Sequence, residues 1–167
     1  MDIIWITLPF IPLVTHMLII IFNCKKMCVV LSQNELDRDT HRSYILALSG
    51  FSFTALLAVV LLEATVVQGL HFVIYYLLLS FLFFLAALNI QGYKAKRWQD
   101  ELATSFADIA TLSLILSIIF VLFSPNFKNN FDIRFSVSIT ILASLIWALD
   151  HFYRIYLQFS YYKDLRE

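Results

Sequence analysis

Charge is scarce in this chain. Asp, Glu, Lys and Arg make up 14% of its 167 residues, where a soluble domain carries about a quarter. The charges that exist cancel to a formal net of zero, and no Lys/Arg-rich run of the length expected for a nucleic-acid patch occurs, so the bulk attraction expected of a nucleic-acid binder is absent. Cysteine is limited to Cys24 and Cys28 in a C-x3-C pair beside Lys25 and Lys26. One pair is not a disulfide framework, and without a second pair nearby it is not a metal knuckle. Two small buried or interfacial thiols are the simplest reading, with reversible acylation at a membrane edge as the alternative. With 3 glycines there is no Gly-rich phosphate loop, and no G-x-S-x-G elbow occurs. No His, Cys and carboxylate set has recognisable zinc spacing. The sequence therefore predicts no enzyme, no catalytic residue, no cofactor and no metal.

What is abundant is apolar. Hydrophobic residues make up 60%, with 16 Phe and 8 Tyr, and they fall in long runs. A bilayer core about 30 Å thick needs roughly 20 such residues in a helix. Five segments qualify or nearly so, at about 3–22, 44–62, 70–88, 106–123 and 135–157. The first contains Pro9, Pro12 and His16 and should bend in its outer half. It begins with Asp2, and its basic residues follow the apolar run, the reverse of a secretory leader. With the N-terminus outside, 10 of the Lys and Arg residues lie inside and 2 outside, the bias expected of cytoplasmic loops. An even number of spans would break that alternation. The expected fold is all-α: one polytopic bundle over 1–167, with cytoplasmic loops at 23–43 and 89–105 and a cytoplasmic tail at 158–167. The loop at 23–43 reads in part as a helix leading into the second span. Ser124-Pro125-Asn126 is a helix stop, and Trp98 in KAKRWQDE (94–101) is an interfacial anchor.

Polar groups inside spans are costly and frequently functional. Asp108 reads as the cap of the fourth span's start, where the helix dipole favours a negative charge. Asp150 and Arg154 are four apart and read as an ion pair at the inner boundary. His16 reads as a packed histidine, with a proton relay as the sharper alternative, and His71 opens the third span. Small residues recur at helical spacing: Gly50, Thr54 and Ala58; Ala110, Ser113 and Ser117; Ser136, Thr140, Ser144 and Ala148. Such stripes let helices approach in lipid, within one bundle or between subunits. The most specific pattern is in the second span, where Arg42, Ile45, Ser49, Ser52, Leu56, Val59 and Glu63 alternate spacings of three and four. They form one stripe with a base inside, hydroxyls, an apolar constriction and an acid outside. Copies of it around an axis would make a cation pore. Packing within the bundle is the plainer reading.

The stretch RSYILALSGFSFTALLAV (42–59) resembles the pore helix of Orai calcium channels, which also runs from a basic residue through Ser-Gly-Phe toward a glutamate. His151-Phe152-Tyr153-Arg154 is similar to the end of the last Orai helix. The resemblance implies a channel of several copies with Glu63 as the ion-facing acid. Glu63 lies several residues farther from Ser49-Gly50-Phe51 than the family's glutamate does, and this chain has an added first span. In architecture alone the chain is also similar to the membrane subunit of Kiwa-type bacterial antiviral systems.

The sequence thus predicts a small homo-oligomeric protein of a plasma or inner membrane, a cation channel or channel-like subunit lined by the second span. The alternative is a non-conducting anchor or sensor. It would recruit a cytoplasmic effector, as in antiviral defence, with Lys94, Lys96 and Arg97 as contact residues. An intramembrane enzyme or carrier has the least support.

Overall fold

The computed structural model describes residues 2–23, 28, 35–65, 70–91, 96–123 and 133–164. Among them the chain is helical and holds no β-strand. The helices are α1 (Asp2–Thr7), α2 (Ile11–Phe22), α3 (Glu35–Thr65), α4 (His71–Gln91), α5 (Arg97–Phe123) and α6 (Ile133–Asp164). Four helical segments are long and apolar enough to cross a bilayer: Ile3–Phe22, Arg42–Leu62, His71–Gln91 and Arg97–Phe123.

The first of these is α1 and α2 joined by a 3-10 turn at Leu8–Phe10, which contains Pro9, with Pro12 in the first turn of α2. Proline has no N–H, so the carbonyl four residues before it loses its helical donor. For Pro9 that carbonyl belongs to Trp5, and the Tyr76 hydroxyl of α4 donates to it at 2.7 Å. Tyr75 donates to the neighbouring Ile6 carbonyl at 3.3 Å. In lipid no water could serve these carbonyls, so a neighbouring helix does. Tyr76→Phe should therefore lower unfolding stability in detergent by about 1–3 kcal/mol, the cost of a buried acceptor left unpaired. The loss should shrink in a Pro9→Ala background, which restores a backbone donor. Equal losses in both backgrounds would show that the hydroxyl does something else.

Helices α3, α4 and α5 form the centre of the bundle, packed antiparallel. At one end Ile45 of α3 meets Phe84 and Ala87 of α4 and Ala110 of α5. At the other, Leu70, Val73 and Leu77 of α4 meet Leu56 and Val59 of α3 and Phe120 of α5. Trp5 packs edge-on against Phe120, so the first span begins beside the end of α5. Helix α6 packs chiefly on α5, and its Ile155 reaches Ile19 of α2. Large apolar side chains face outward on every helix, including Ile21, Leu46, Phe51, Leu82, Ile118, Leu145 and Leu149. That outward apolar belt suits lipid rather than water.

Two expected boundaries move. α5 begins at Arg97, well before 106, because 97–105 is amphipathic and buries Glu101, Ala103 and Ser105. Asp108 therefore does not cap a helix start; it lies about 16 Å along α5 from Arg97. α3 likewise extends as one helix of 31 residues from Glu35.

Candidate functional site

The spacing of three and seven puts Glu101, Ser105 and Asp108 on one face of α5. That face is buried under α2, whose His16 lies between the two acids. His16 Nδ1 is 3.2 Å from Glu101 Oε2, and its Nε2 is 3.3 Å from Asp108 Oδ2. From α6, His151 Nδ1 approaches the same Asp108 oxygen at 2.9 Å. His151 Nε2 makes a longer contact, 3.4 Å, with the Thr15 hydroxyl of α2. The four ionisable residues expose 2% (His16), 7% (Glu101), 4% (Asp108) and 4% (His151) of their surface. Three helices thus bring two acids and two imidazoles into one buried cluster.

Hydrogen-bond logic fixes much of its electronic state. The Thr15 hydroxyl donates to the Pro12 carbonyl at 2.8 Å, so toward His151 it can only accept. His151 then carries a proton on Nε2. Glu101 as a carboxylate also only accepts, so His16 carries a proton on Nδ1. If both imidazoles are neutral, their remaining nitrogens present bare lone pairs to one carboxylate oxygen. Three acceptors then face one another, an arrangement that added positive charge would relieve. Two added protons would supply that charge, and so would a single divalent cation.

A cavity of about 290 Å³ borders the cluster, lined by Asp108, Thr111, Trp147, Asp150, Tyr44 and Phe84 among others. Trp147 stacks on His151 with ring centroids 5.3 Å apart and planes 9° apart. Its Nε1 is buried without a hydrogen-bond partner, as is the Ser105 hydroxyl on the Glu101–Asp108 face.

The residues singled out from sequence distribute unevenly. Ile45, Ser49 and Ser52 of the proposed pore stripe are buried, and Leu56 and Val59 pack on α4. Ser52 bonds Ser80 of α4 at 3.0 Å. The stripe is thus the face that joins α3 to its neighbours in the same chain, while Arg42 at its end is exposed. The side chains of Glu63, Arg154 and Ser136, and all of Lys94 and Cys24, lie outside the described residues, so the Asp150–Arg154 pair does too. Asp150 itself is exposed at the cavity, as are Lys96 and Cys28 elsewhere; Arg97 is half-buried. Of the small-residue stripes, Ala110, Ser113 and Ser117 are buried, as is Thr140, with Ser144 and Ala148 half-buried. Gly50, Thr54 and Ala58 instead face outward, and a Cβ on Gly50 would meet nothing within 4 Å. Gly50→Ala should then stabilise the single bundle by about 0.5–1 kcal/mol through helix propensity, read from thermal unfolding. Destabilisation would mean that another helix covers this face.

Sequence reasoning had flagged His16, Asp108 and His151 separately but had missed Glu101, Thr15 and Trp147. The available signal was the Glu101–Ser105–Asp108 spacing, which marks a polar file on a helix that is otherwise apolar further along. No family model, curated protein or solved structure matches the chain.

Proposed function

We propose that this chain is a five-span protein of the cell membrane, N-terminus outside and C-terminus cytoplasmic, whose working part is the buried Glu101–His16–Asp108–His151 cluster. It acts as a cation-responsive sensor and anchor. A cation in the cluster ties the first and last spans to α5, and cytoplasmic segments flanking those helices relay the occupied state to a protein partner. The convergence of two imidazole nitrogens from two helices on one Asp108 oxygen carries this reading, because imidazoles and a carboxylate are the donors a cation takes. The charge distribution along the sequence supports the orientation. Arg97 opens the helix that carries Glu101, one turn before it, and the exposed Lys96 directly precedes that helix. The packed state of Ile45, Ser49 and Ser52 favours the cluster over a second-span pore as the functional centre.

The Ile19–Ile155 contact between α2 and α6 gives a direct readout. Cysteines at these two positions, with Cys24 and Cys28 changed to serine, should form a disulfide quickly under mild oxidant. Asp108→Ala should slow that reaction by at least about tenfold, the ratio produced by ~1.4 kcal/mol of lost coupling. An unchanged rate would remove the cluster from its role in holding α6.

A further inference from the structure

Two buried imidazoles and a buried carboxylate converge in the cluster, and their geometry specifies which cation they would hold. We infer that His16 Nε2, His151 Nδ1 and the Asp108 carboxylate form a binding site for one divalent transition-metal ion of the zinc type. This rests on the reading of the cluster as a cation site and names the cation. The three ligand atoms lie within 4.8 Å of one another and come from three helices. In a tetrahedral zinc site with metal–ligand bonds of about 2.1 Å, ligand atoms stand about 3.4 Å apart. The separations at Asp108 Oδ2, 3.3 and 2.9 Å, are close to that edge, and the two imidazole nitrogens lie within 4.8 Å of each other.

The donor set selects among ions. Two imidazoles and a carboxylate suit zinc and its first-row neighbours, whereas calcium and magnesium require six or more oxygens or retained water. The surroundings match those of a ligating histidine on both sides. A metal-bound imidazole donates its other N–H to a carboxylate, hydroxyl or carbonyl, which fixes the ring and its tautomer. Glu101 does this for His16 and Thr15 for His151. Glu101 is thus a positioning residue and not a ligand. Trp147 covers the His151 ring. A structural zinc site closes its fourth position with protein, but here Asp108 borders the cavity of about 290 Å³. The fourth position therefore opens into that space, where the unpaired Trp147 Nε1 is a donor for a metal-bound water or an exchangeable anionic ligand.

The test uses full-length protein in detergent, in the Cys24→Ser/Cys28→Ser background so that thiols cannot bind metal. After chelation, Zn2+ should bind at one equivalent per chain, and Co2+ should give the intense visible absorption of a four-coordinate N2O-type site. Mg2+ should give neither binding nor competition. Asp108→Asn and His151→Ala should abolish the absorption while circular dichroism stays helical. Glu101→Gln should weaken binding about 10–100-fold with the spectrum retained, as expected for an outer-shell partner. No stoichiometric zinc, or binding indifferent to Asp108→Asn, would overturn the inference. If the disulfide between positions 19 and 155 still depends on Asp108 in that case, the cluster still holds α6 and only the metal assignment falls. If that dependence is absent too, the cation-responsive reading falls with it.

Discussion

Asp108→Asn should yield a bundle that no longer needs a cation to hold α6, whereas Asp108→Ala should come apart at the same place. The contrast follows from the geometry of one atom. Asp108 Oδ2 faces two imidazole nitrogens, His16 Nε2 and His151 Nδ1, which are bare when both rings are neutral and hold their other protons toward Glu101 and Thr15. An asparagine amide at that position carries two N–H bonds and can give one to each nitrogen. The buried charge disappears and every converging lone pair gains a donor. Alanine removes the partner of both histidines and leaves Glu101 beside a group that has lost its other contact. Removing one member of a buried charged set costs about 3–5 kcal/mol. Denaturant or thermal unfolding in detergent, with and without chelator, separates the cases. The parent should lose stability on chelation, the asparagine variant should not respond, and the alanine variant should be weak in both. A chelator-sensitive asparagine variant would mean that the tautomers are not those deduced.

The second large effect is expected at Phe84. Its ring is fully buried where α3, α4 and α5 meet, against Ile45, Ala87 and Ala110. The two alanines are small because the ring fills the space between the helices. Truncation to alanine leaves a void that the flanking backbones cannot close, and such changes cost about 3–5 kcal/mol. In lipid the loss is mostly of packing contacts, since apolar burial between helices has little solvent drive behind it. Phe84 also borders the cavity beside Asp108, so Phe84→Ala should enlarge that cavity and weaken metal binding as well as stability. Phe84→Leu, which refills most of the space, should recover the greater part of both. If Phe84→Ala unfolds at the parent temperature, the ring is not the wedge between these helices.

The helices were legible in the sequence because span length and apolar runs are local properties. That proline would disturb the first span was legible for the same reason, since proline acts on its own turn and a 3-10 turn stands there. The start of α5 was not, because 97–105 is polar enough to read as a loop until its buried face is known. The 3-4 stripe on α3 was visible as a stripe, but periodicity cannot say whether a face meets its own chain or an open axis; Ser80 and Phe84 decide that. Gly50–Thr54–Ala58 and Ala110–Ser113–Ser117 look alike in sequence, yet one faces outward and the other inward. The cluster was invisible for a plainer reason. Its contacts span 43, 85, 92 and 136 residues of chain, so no motif spacing could gather them. Only its individual members stood out, as polar residues in apolar surroundings.

That same separation along the chain bears on how the protein is made. His16 leaves the ribosome early, Glu101 and Asp108 follow much later, and His151 comes on the sixth helix. Until that helix docks, Asp108 lacks its 2.9 Å contact with His151. A chain that stops short of the sixth helix thus leaves the cluster unassembled. Completion of the cluster marks a chain whose spans have all arrived.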